Sequence, residues 1–190
     1  YRSSRGLGDV YKRQVVAIAT LAEGRTMIRR PSESDDCTHA LMMAAQLGAE
    51  VELGEDAVAV HGQFPLRPRE STLTPGESGL GLRLFGVLAS LHPEPLTLER
   101  SGTLTKRNVR ALAEALASFG ATLEPGDDES HLVVRGPLTG CDVSLDASGS
   151  SQVLTGLMCA LAHAEGDSTL TLQGLVSCLL YTSPSPRDDR

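Results

Sequence analysis

The chain has 190 residues, 22% of them charged and 3% aromatic, with a formal net charge of −7. This length suits one domain with its own core, and an acidic chain with few aromatic residues and no basic stripe argues against nucleic acid as a partner. No apolar run approaches the roughly 20 residues of a membrane-spanning helix, and the cysteines lack CxxC spacing, which favours reduced thiols and a cytoplasmic location.

The first predicted elements are a helix, a strand, a second helix and a hairpin. Apolar residues recur at helical spacing over residues 15–21, and residues 26–28 have the pattern of a strand. A second helix is predicted over residues 40–49, with Gly48 placed to end it, and the apolar runs within residues 51–62 flank a turn. This segment therefore predicts one α/β unit.

The same plan returns further along the chain. Residues 82–91 predict a helix, residues 96–98 predict a strand, and residues 111–119 predict a second helix that Gly120 ends. A hairpin is predicted over residues 123–136. The second unit thus repeats the first with a small insertion.

A third copy begins with a predicted helix over residues 153–161 and a strand over residues 170–172. Leu21, Leu91 and Leu161 fall at matching points of the three copies. Repeated units of this kind must share one core. We therefore predict an α/β fold of helix-strand-helix-hairpin units related by quasi-threefold symmetry.

Two polar runs open helices of the repeat, and both suit an anion. Residues 76–83 are glycine-rich, so backbone N–H groups can approach a ligand at a helix start, and Arg83 adds a cation one turn later. In the second run, Ser150, Ser151 and Gln152 place neutral donors at a helix start, which suits a hydroxylated or phosphorylated ligand. The alternative is that both runs are only turns with N-caps. Their pairing within a repeat favours a binding site.

The two ends of the chain depart from the repeat in composition. All three tyrosines lie in residues 1–14 and 178–190. Residues 4–14 can be encoded by one strand of a DNA sequence whose complementary strand, read one base later, encodes residues 178–187. That DNA sequence resembles a transposase adapter used to prepare sequencing libraries. We therefore predict that both ends are translated adapter and that residues 15–177 are the natural fragment.

Several other polar residues have simpler explanations. Asp35 and Asp36 precede a helix and are expected to cap its free N–H groups. The five histidines show no metal-ligand spacing, so no metal site is predicted. Lys106 and Arg107 are expected in the first turn of a helix, where the helix dipole disfavours cations. That placement favours a ligand role for these two residues.

Six segments follow one another in the order and spacing of a known family. They are residues 22–26, 34–36, 76–83, 106–107, 150–152 and 174–177. Together they resemble the N-terminal domain of the EPSP synthase (3-phosphoshikimate 1-carboxyvinyltransferase) family. The resemblance implies two similar domains, each of three α/β units, in an inside-out α/β barrel. Residues 15–177 would be an incomplete N-terminal domain of that fold.

The resemblance also implies an activity and its binding residues. The family transfers the enolpyruvyl group of phosphoenolpyruvate to the hydroxyl of shikimate-3-phosphate, in the shikimate pathway to aromatic amino acids and without a cofactor. The residues implied for phosphoenolpyruvate are Gly79, Arg83, Arg100 and Arg107, and those implied for shikimate-3-phosphate are Ser150, Ser151, Gln152 and Ser177.

Two departures from the family pattern fall in the phosphoenolpyruvate group. The family's Asn-Ala-Gly-Thr is Glu-Ser-Gly-Leu over residues 77–80. A family arginine that precedes Arg107 aligns with Thr103, and Arg100 is expected to replace it.

The resemblance further implies that the fragment needs a partner. The family's substrate-binding lysine segment belongs immediately before residue 15, and its carboxylates belong to a C-terminal domain, so residues 15–177 are expected to be inactive alone. The full-length protein is expected to be a cytoplasmic monomer.

Two alternative functions stay open. A UDP-N-acetylglucosamine enolpyruvyl transferase shares the repeats but uses a reactive cysteine in the region equivalent to residues 100–106, which contain none. A non-catalytic binding domain would share only the fold.

Overall fold

The computed structural model describes residues 3–146 and 151–174, with side chains from Val10 onward. Within these ranges the helices are α1 (Ser3–Leu21), α2 (Asp35–Gln46), α3 (Gly79–Ala89), α4 (Arg110–Ala117) and α5 (Ser151–Leu161). The strands are β1 (Gly24–Arg29), β2 (Glu50–Leu53), β3 (Ala57–Gly62), β4 (Thr72–Gly76), β5 (Leu96–Arg100), β6 (Thr122–Pro125), β7 (His131–Arg135), β8 (Asp142–Asp146) and β9 (Thr169–Gln173). A 3₁₀ helix, Gly102–Lys106, lies between β5 and α4.

The strands form sheets that repeat one pairing scheme. The first sheet has the order β1-β3-β2, with antiparallel neighbours. The second has the order β4-β5-β7-β6, in which β5-β7-β6 repeats the antiparallel scheme and β4 runs parallel to β5. In the third, β8 runs parallel to β9 and so repeats the β4-β5 pair. Strands β1, β5 and β9 thus occupy equivalent places.

The helices that lead into these three strands, α1, α3 and α5, pack on one another. The α3 and α5 backbones approach closely at Gly156, where an added Cβ atom would lie 3.1 Å from the Cβ atom of Val87. Each helix therefore precedes its strand in the same way and shares a common contact region. The predicted repeat and the α/β fold class are confirmed.

Glycines end the second helix of the first two units, as the sequence predicts. Gly48 follows α2 with φ 107°, and Gly120 follows α4 with φ 80°. In each case the amide of the next residue donates to a carbonyl oxygen in the last helical turn, at 3.0 and 3.1 Å. Glycine adopts this left-handed conformation without steric cost, so it turns the chain out of the helix and into the following hairpin.

Helix α3 is a core element. Every residue of α3 except Arg83 is buried, and Leu84, Phe85 and Leu88 have no exposed surface. A helix that is apolar on all sides belongs in the interior, and α3 accordingly packs against the other four helices and against β4 and β5. Arg83 is thus the only charged side chain of α3, and the core fixes its place.

The first helix is longer than the sequence pattern predicts. We expect it to start at Val15, but α1 begins at Ser3 and continues through residue 15. The apolar pattern also does not predict β4 or β8, which are short strands of five residues each. None of the five helices in the described ranges combines the length and the hydropathy needed to span a bilayer.

The helix expected to begin at Lys106 and Arg107 begins instead at Arg110. Lys106 is the last residue of the 3₁₀ helix, and Arg107 follows it in an extended conformation. The Asn108 side chain accepts a hydrogen bond from the Arg110 amide at 2.7 Å, which favours a helix start at this point. The two basic residues therefore lie at the end of a short helix, where cations are favoured.

Candidate functional site

The loops that follow β4 and β5 meet at one edge of the second sheet. Because the two strands are parallel and Gly76 pairs with Arg100, their carboxyl ends lie side by side. The Ser101 amide donates to the Gly76 carbonyl oxygen at 3.2 Å, which joins the two loops. One loop leads into α3 and the other into the 3₁₀ helix. Ligands of α/β proteins commonly bind outside the carboxyl ends of parallel strands.

Helix α3 presents its N-terminus to this edge. Ser78 is its N-cap and is buried, and the Ser78 hydroxyl oxygen accepts a hydrogen bond from the Gly81 amide at 3.1 Å. The other free N–H groups of the first turn and the helix dipole favour an anion here. The predicted helix start in the glycine-rich run is confirmed.

We expect Ser78→Ala to lower the free energy of unfolding by about 1 kcal/mol, because it removes the cap from the first turn of α3. Urea denaturation followed by circular dichroism measures this loss. Ser118→Ala is the matched control, since the exposed Ser118 hydroxyl only donates to the Glu114 carbonyl oxygen at 2.9 Å. Equal losses of unfolding free energy in the two variants would show that the Ser78 cap stabilises the chain no more than the exposed Ser118 hydroxyl does.

Two arginines converge on Gly79, the first residue of α3. The half-buried Arg83 donates to the Gly79 carbonyl oxygen at 2.8 Å. An added Cβ atom at Gly79 would lie 3.0 Å from Arg83 Nη1 and 2.6 Å from Arg107 Nη1, so both guanidinium groups pack against this glycine. Burial and the nearby charge of Arg107 lower the pKa of Arg83. Among the described residues, neither arginine forms an ion pair, so the pair concentrates positive charge at an open helix start.

The second polar run predicted from the sequence, residues 150–152, lies next to the arginine pair at its Gln152 end. The Oε1 atom of Gln152, in the first turn of α5, accepts a hydrogen bond from Arg83 at 3.4 Å. Gln152 contacts Arg83, and Gly156 packs against Val87 one turn later, so α3 and α5 run parallel and their starts lie side by side. Ser151 is half-buried at the first position of α5. Ser150 and Ser177 lie outside the described residues.

Arg100 has a different environment. It is buried with 7% of its surface exposed, and its guanidinium donates to the Glu129 carbonyl oxygen in the loop between β6 and β7. Its Nε atom has no hydrogen-bond partner. The described contacts of Arg100 therefore do not bring it to the Arg83 and Arg107 pair, and its role in binding phosphoenolpyruvate stays a prediction.

Glu77 joins the two loops, which the sequence alone does not predict. The Glu77 carboxylate accepts hydrogen bonds from the Thr103 amide at 2.9 Å and from the Thr103 hydroxyl at 2.8 Å. These bonds, together with the nearby charge of Arg107, lower the pKa of Glu77. Glu77 and Thr103 are 26 residues apart, so no local pattern indicates their contact.

A second contact missed by the sequence analysis lies behind Ser78. Arg13 of α1 is buried and donates to the Asp36 carboxylate and, at 3.1 Å, to the Ser78 hydroxyl. The cap role predicted for Asp35 and Asp36 is wrong, because Ser34 is the N-cap of α2 and both aspartates lie inside its first turn, where Asp36 is paired with Arg13. Arg13 belongs to the terminal segment predicted to be translated adapter, and it lies 65 residues from Ser78, so no local pattern indicates this contact.

In the described part of the chain, no group of three or more histidine, cysteine, aspartate or glutamate residues could hold a metal ion. Cys37 and Cys141 are free thiols. The groups that meet at the site are two arginines, amide and hydroxyl donors and the start of α3. Such groups bind and stabilise negative charge.

Comparisons with known proteins agree on one family. The family model described as EPSP synthase (3-phosphoshikimate 1-carboxyvinyltransferase) matches residues 11–182. The 3-phosphoshikimate 1-carboxyvinyltransferase of Methanosarcina acetivorans is 30% identical over 175 residues, which are 90% of this chain and 40% of that protein. The enzyme of the same name from Methanoculleus marisnigri is 35% identical over 169 residues, which are 85% of this chain and 39% of that protein. The chain thus spans about two fifths of the length of these curated relatives.

Solved structures share the fold. The EPSP synthase of Acinetobacter baumannii matches with a TM-score of 0.75 at 24% identity, over 87% of this chain and 39% of that chain. The enolpyruvyl transferase NikO of Streptomyces tendae matches with a TM-score of 0.55 at 21% identity, over 86% of this chain and 38% of that chain. The repeated units described above are therefore those of the enolpyruvyl transferase fold.

Proposed function

Because the chain belongs to the EPSP synthase family, we propose that it forms part of the site at which the enolpyruvyl group of phosphoenolpyruvate is transferred to shikimate-3-phosphate. The products are EPSP and phosphate. The observation that carries this proposal is the convergence of Arg83 and Arg107 on Gly79, at the start of α3 and within hydrogen-bonding distance of Gln152. A polyanionic ligand is what two adjacent guanidinium groups and a helix N-terminus are suited to bind.

We assign phosphoenolpyruvate to the arginine pair. Its carboxylate and phosphate groups can each accept paired N–H bonds from a guanidinium group, and the first turn of α3 adds backbone donors. During transfer, the shikimate-3-phosphate hydroxyl gives up its proton and bonds to C2 of phosphoenolpyruvate while C3 takes up a proton. The bond from C2 to the phosphate oxygen then breaks, and C3 loses a proton, which restores the double bond and releases phosphate. Arg83 and Arg107 stabilise the negative charge that collects on the departing phosphate.

We assign shikimate-3-phosphate to the start of α5. Ser151 and Gln152 supply hydroxyl and amide donors there, and Ser150 and Ser177 belong to the same proposed set. Because Gln152 also accepts a hydrogen bond from Arg83, the two ligands would bind next to each other. Such adjacency is what a direct transfer between them requires.

The proposal includes the organisation of the chain. We propose that residues 15–177 are an incomplete N-terminal enolpyruvyl transferase domain and that residues 1–14 and 178–190 are translated adapter. The partner would be the C-terminal domain of the same protein, with a cytoplasmic monomer as the complete enzyme and turnover only when both domains are present. Sequencing the source DNA across residues 14–15 and 177–178 with an adapter-free library tests these boundaries.

Ligand-dependent unfolding tests the binding part of the proposal. We expect shikimate-3-phosphate at ten times its Kd to raise the free energy of unfolding by about 1.4 kcal/mol, because a ligand that binds only the folded state stabilises it. Phosphoenolpyruvate is then added to the shikimate-3-phosphate complex and should raise the unfolding temperature further. UDP-N-acetylglucosamine at the same concentration is the control and should have no effect. Stabilisation by the control alone would instead support the UDP-N-acetylglucosamine transferase.

A further inference from the structure

The 3₁₀ helix and the residue that follows it contact the start of α3 and the loop that leads into it. At the start of the 3₁₀ helix, Thr103 donates its amide and its hydroxyl to the Glu77 carboxylate, at 2.9 and 2.8 Å. Just after its end, the Arg107 guanidinium packs against Gly79. Leu104, between these two contacts, has no exposed surface and anchors the helix in the core. The short helix therefore connects the Glu77 contact to the arginine pair.

Gly102 makes room for the Glu77 carboxylate. Its φ of 50° lies in the left-handed region that favours glycine. An added Cβ atom at Gly102 would lie 2.5 Å from each carboxylate oxygen of Glu77, so a side chain there would displace the carboxylate. The contact thus depends on the glycine and the threonine of one loop and the glutamate of the other.

The arginine pair needs a restraint. Arg83 is held by the Gly79 carbonyl oxygen and by Gln152, whereas Arg107 is exposed and its charge repels that of Arg83. Without a restraint on the segment that carries it, an exposed arginine beside a like charge moves toward solvent. The ligand would then have to reassemble the pair, which lowers its apparent affinity.

We propose that Glu77 is a positioning residue for the anion site, because its bonds to Thr103 fix the 3₁₀ helix and thereby keep Arg107 against Gly79 beside Arg83. This inference rests on the proposed function, since it names how that site is kept in a binding geometry. The carboxylate has two opposing effects on an anion. Its hydrogen bonds favour binding through Arg107, while its negative charge disfavours binding directly.

Two substitutions separate these effects. Glu77→Gln and Glu77→Ala both remove the charge, but only glutamine keeps an oxygen that can accept from Thr103. The quantity to measure is the Kd of phosphoenolpyruvate, from titration calorimetry on the whole chain saturated with shikimate-3-phosphate. We expect Glu77→Ala to bind phosphoenolpyruvate about 2- to 10-fold more weakly than Glu77→Gln, the range that a net hydrogen-bond contribution gives. The Kd of shikimate-3-phosphate alone should be the same in both variants.

Thr103→Val provides the reciprocal test. It removes the hydroxyl donor and keeps the amide donor, so we expect a smaller loss than for Glu77→Ala. Combining Thr103→Val with Glu77→Ala should cause no further loss, because the two residues act through one contact. Additive losses would overturn the assignment.

Each main outcome decides one claim. Equal phosphoenolpyruvate Kd values for Glu77→Ala and Glu77→Gln, in a chain that binds the ligand, would overturn the positioning role and leave the proposed function intact. An unmodified chain that binds neither ligand would overturn the proposed assignment of both ligands to this chain, and the inference with it. Hydrogen exchange of the amides of residues 103–107 in the free chain should be faster in Glu77→Ala than in Glu77→Gln. Unchanged exchange would show that Glu77 does not fix the 3₁₀ helix.

Discussion

Replacing Arg83 by methionine should weaken phosphoenolpyruvate binding by about 100-fold, which corresponds to the loss of paired, charge-assisted hydrogen bonds. Methionine preserves much of the length and apolar volume of the arginine stem, so α3 should still pack. The Kd of phosphoenolpyruvate for the chain saturated with shikimate-3-phosphate, from titration calorimetry, measures the effect. The bond from Arg83 to Gln152 is lost as well, so a smaller weakening of shikimate-3-phosphate binding should accompany it.

The same substitution should not lower the stability of the ligand-free chain. Burial and the charge of Arg107 lower the pKa of Arg83, which means that its charged form is less stable in the folded chain than in water. Removing that charge relieves this cost while the hydrogen bond to the Gly79 carbonyl oxygen is lost. We therefore expect an unchanged or raised free energy of unfolding, as for residues kept for binding at the expense of stability.

Arg110→Met is the matched control for Arg83→Met. Arg110 is exposed in the first turn of α4 and pairs with Glu114 at 2.7 Å, so its loss removes the same charge from the chain without touching the α3 start. Phosphoenolpyruvate binding should stay as in the unmodified chain. If Arg83→Met lost stability in parallel with binding, Arg83 would have to be assigned a structural role instead.

The repeat could be predicted from the sequence because it rests on local signals. Apolar residues at helical spacing mark α3 and α5, and left-handed glycines such as Gly48 and Gly120 end the helices that precede the hairpins. These signals depend on residues within one turn or one hairpin of each other. They therefore fix the elements and their order before any long-range contact is known.

The convergence of Arg83 and Arg107 could not be predicted in the same way. It depends on the parallel pairing of β4 with β5 and on the 3₁₀ helix that follows β5, neither of which has a local pattern in this sequence. Arg107 therefore lies just after the 3₁₀ helix and not in the first turn of α4, where its sequence context predicts it. Its expected part in the site came from the family resemblance and from an argument about helix dipoles that the structure does not support.

The burial of Arg100 follows from its position on β5. Leu96, Leu98 and Arg100 alternate along β5, and all three are buried. A strand points every second residue to the same face, so Arg100 belongs to the face that packs into the domain. Strand alternation therefore predicts a buried Arg100, whereas its bond to the Glu129 carbonyl oxygen depends on a long-range contact that alternation does not indicate.

The position of α1 depends on a glycine that admits no side chain. Gly62 ends β3 and pairs with Gly24 of β1. An added Cβ atom at Gly62 would overlap the carbonyl oxygens of Ala19 and Ala22 and lie 2.9 Å from that of Thr20. All three are backbone atoms at the end of α1, so no side-chain rotation can relieve the overlap.

We therefore expect Gly62→Ala to lower the free energy of unfolding by at least about 3 kcal/mol, at the upper end of what overpacking costs, because β3 and α1 must separate. Urea denaturation measures the loss. Gly54→Ala is the control, since Gly54 lies in the exposed turn between β2 and β3, where an added Cβ atom would have one neighbour at 3.1 Å, the Ala57 carbonyl oxygen. It should change the stability far less.

The separation of β3 from α1 in Gly62→Ala should also weaken binding at the candidate site. Helix α1 carries Arg13, whose guanidinium donates to the Asp36 carboxylate and to the Ser78 hydroxyl that caps α3. Moving α1 away from β3 shifts this contact, so the Gly62→Ala chain should bind phosphoenolpyruvate more weakly even at temperatures where it remains folded. Gly62→Ala and Gly54→Ala chains of equal stability would mean that α1 does not lie against β3. A destabilised Gly62→Ala chain with unchanged binding would show that the start of α3 is fixed without α1.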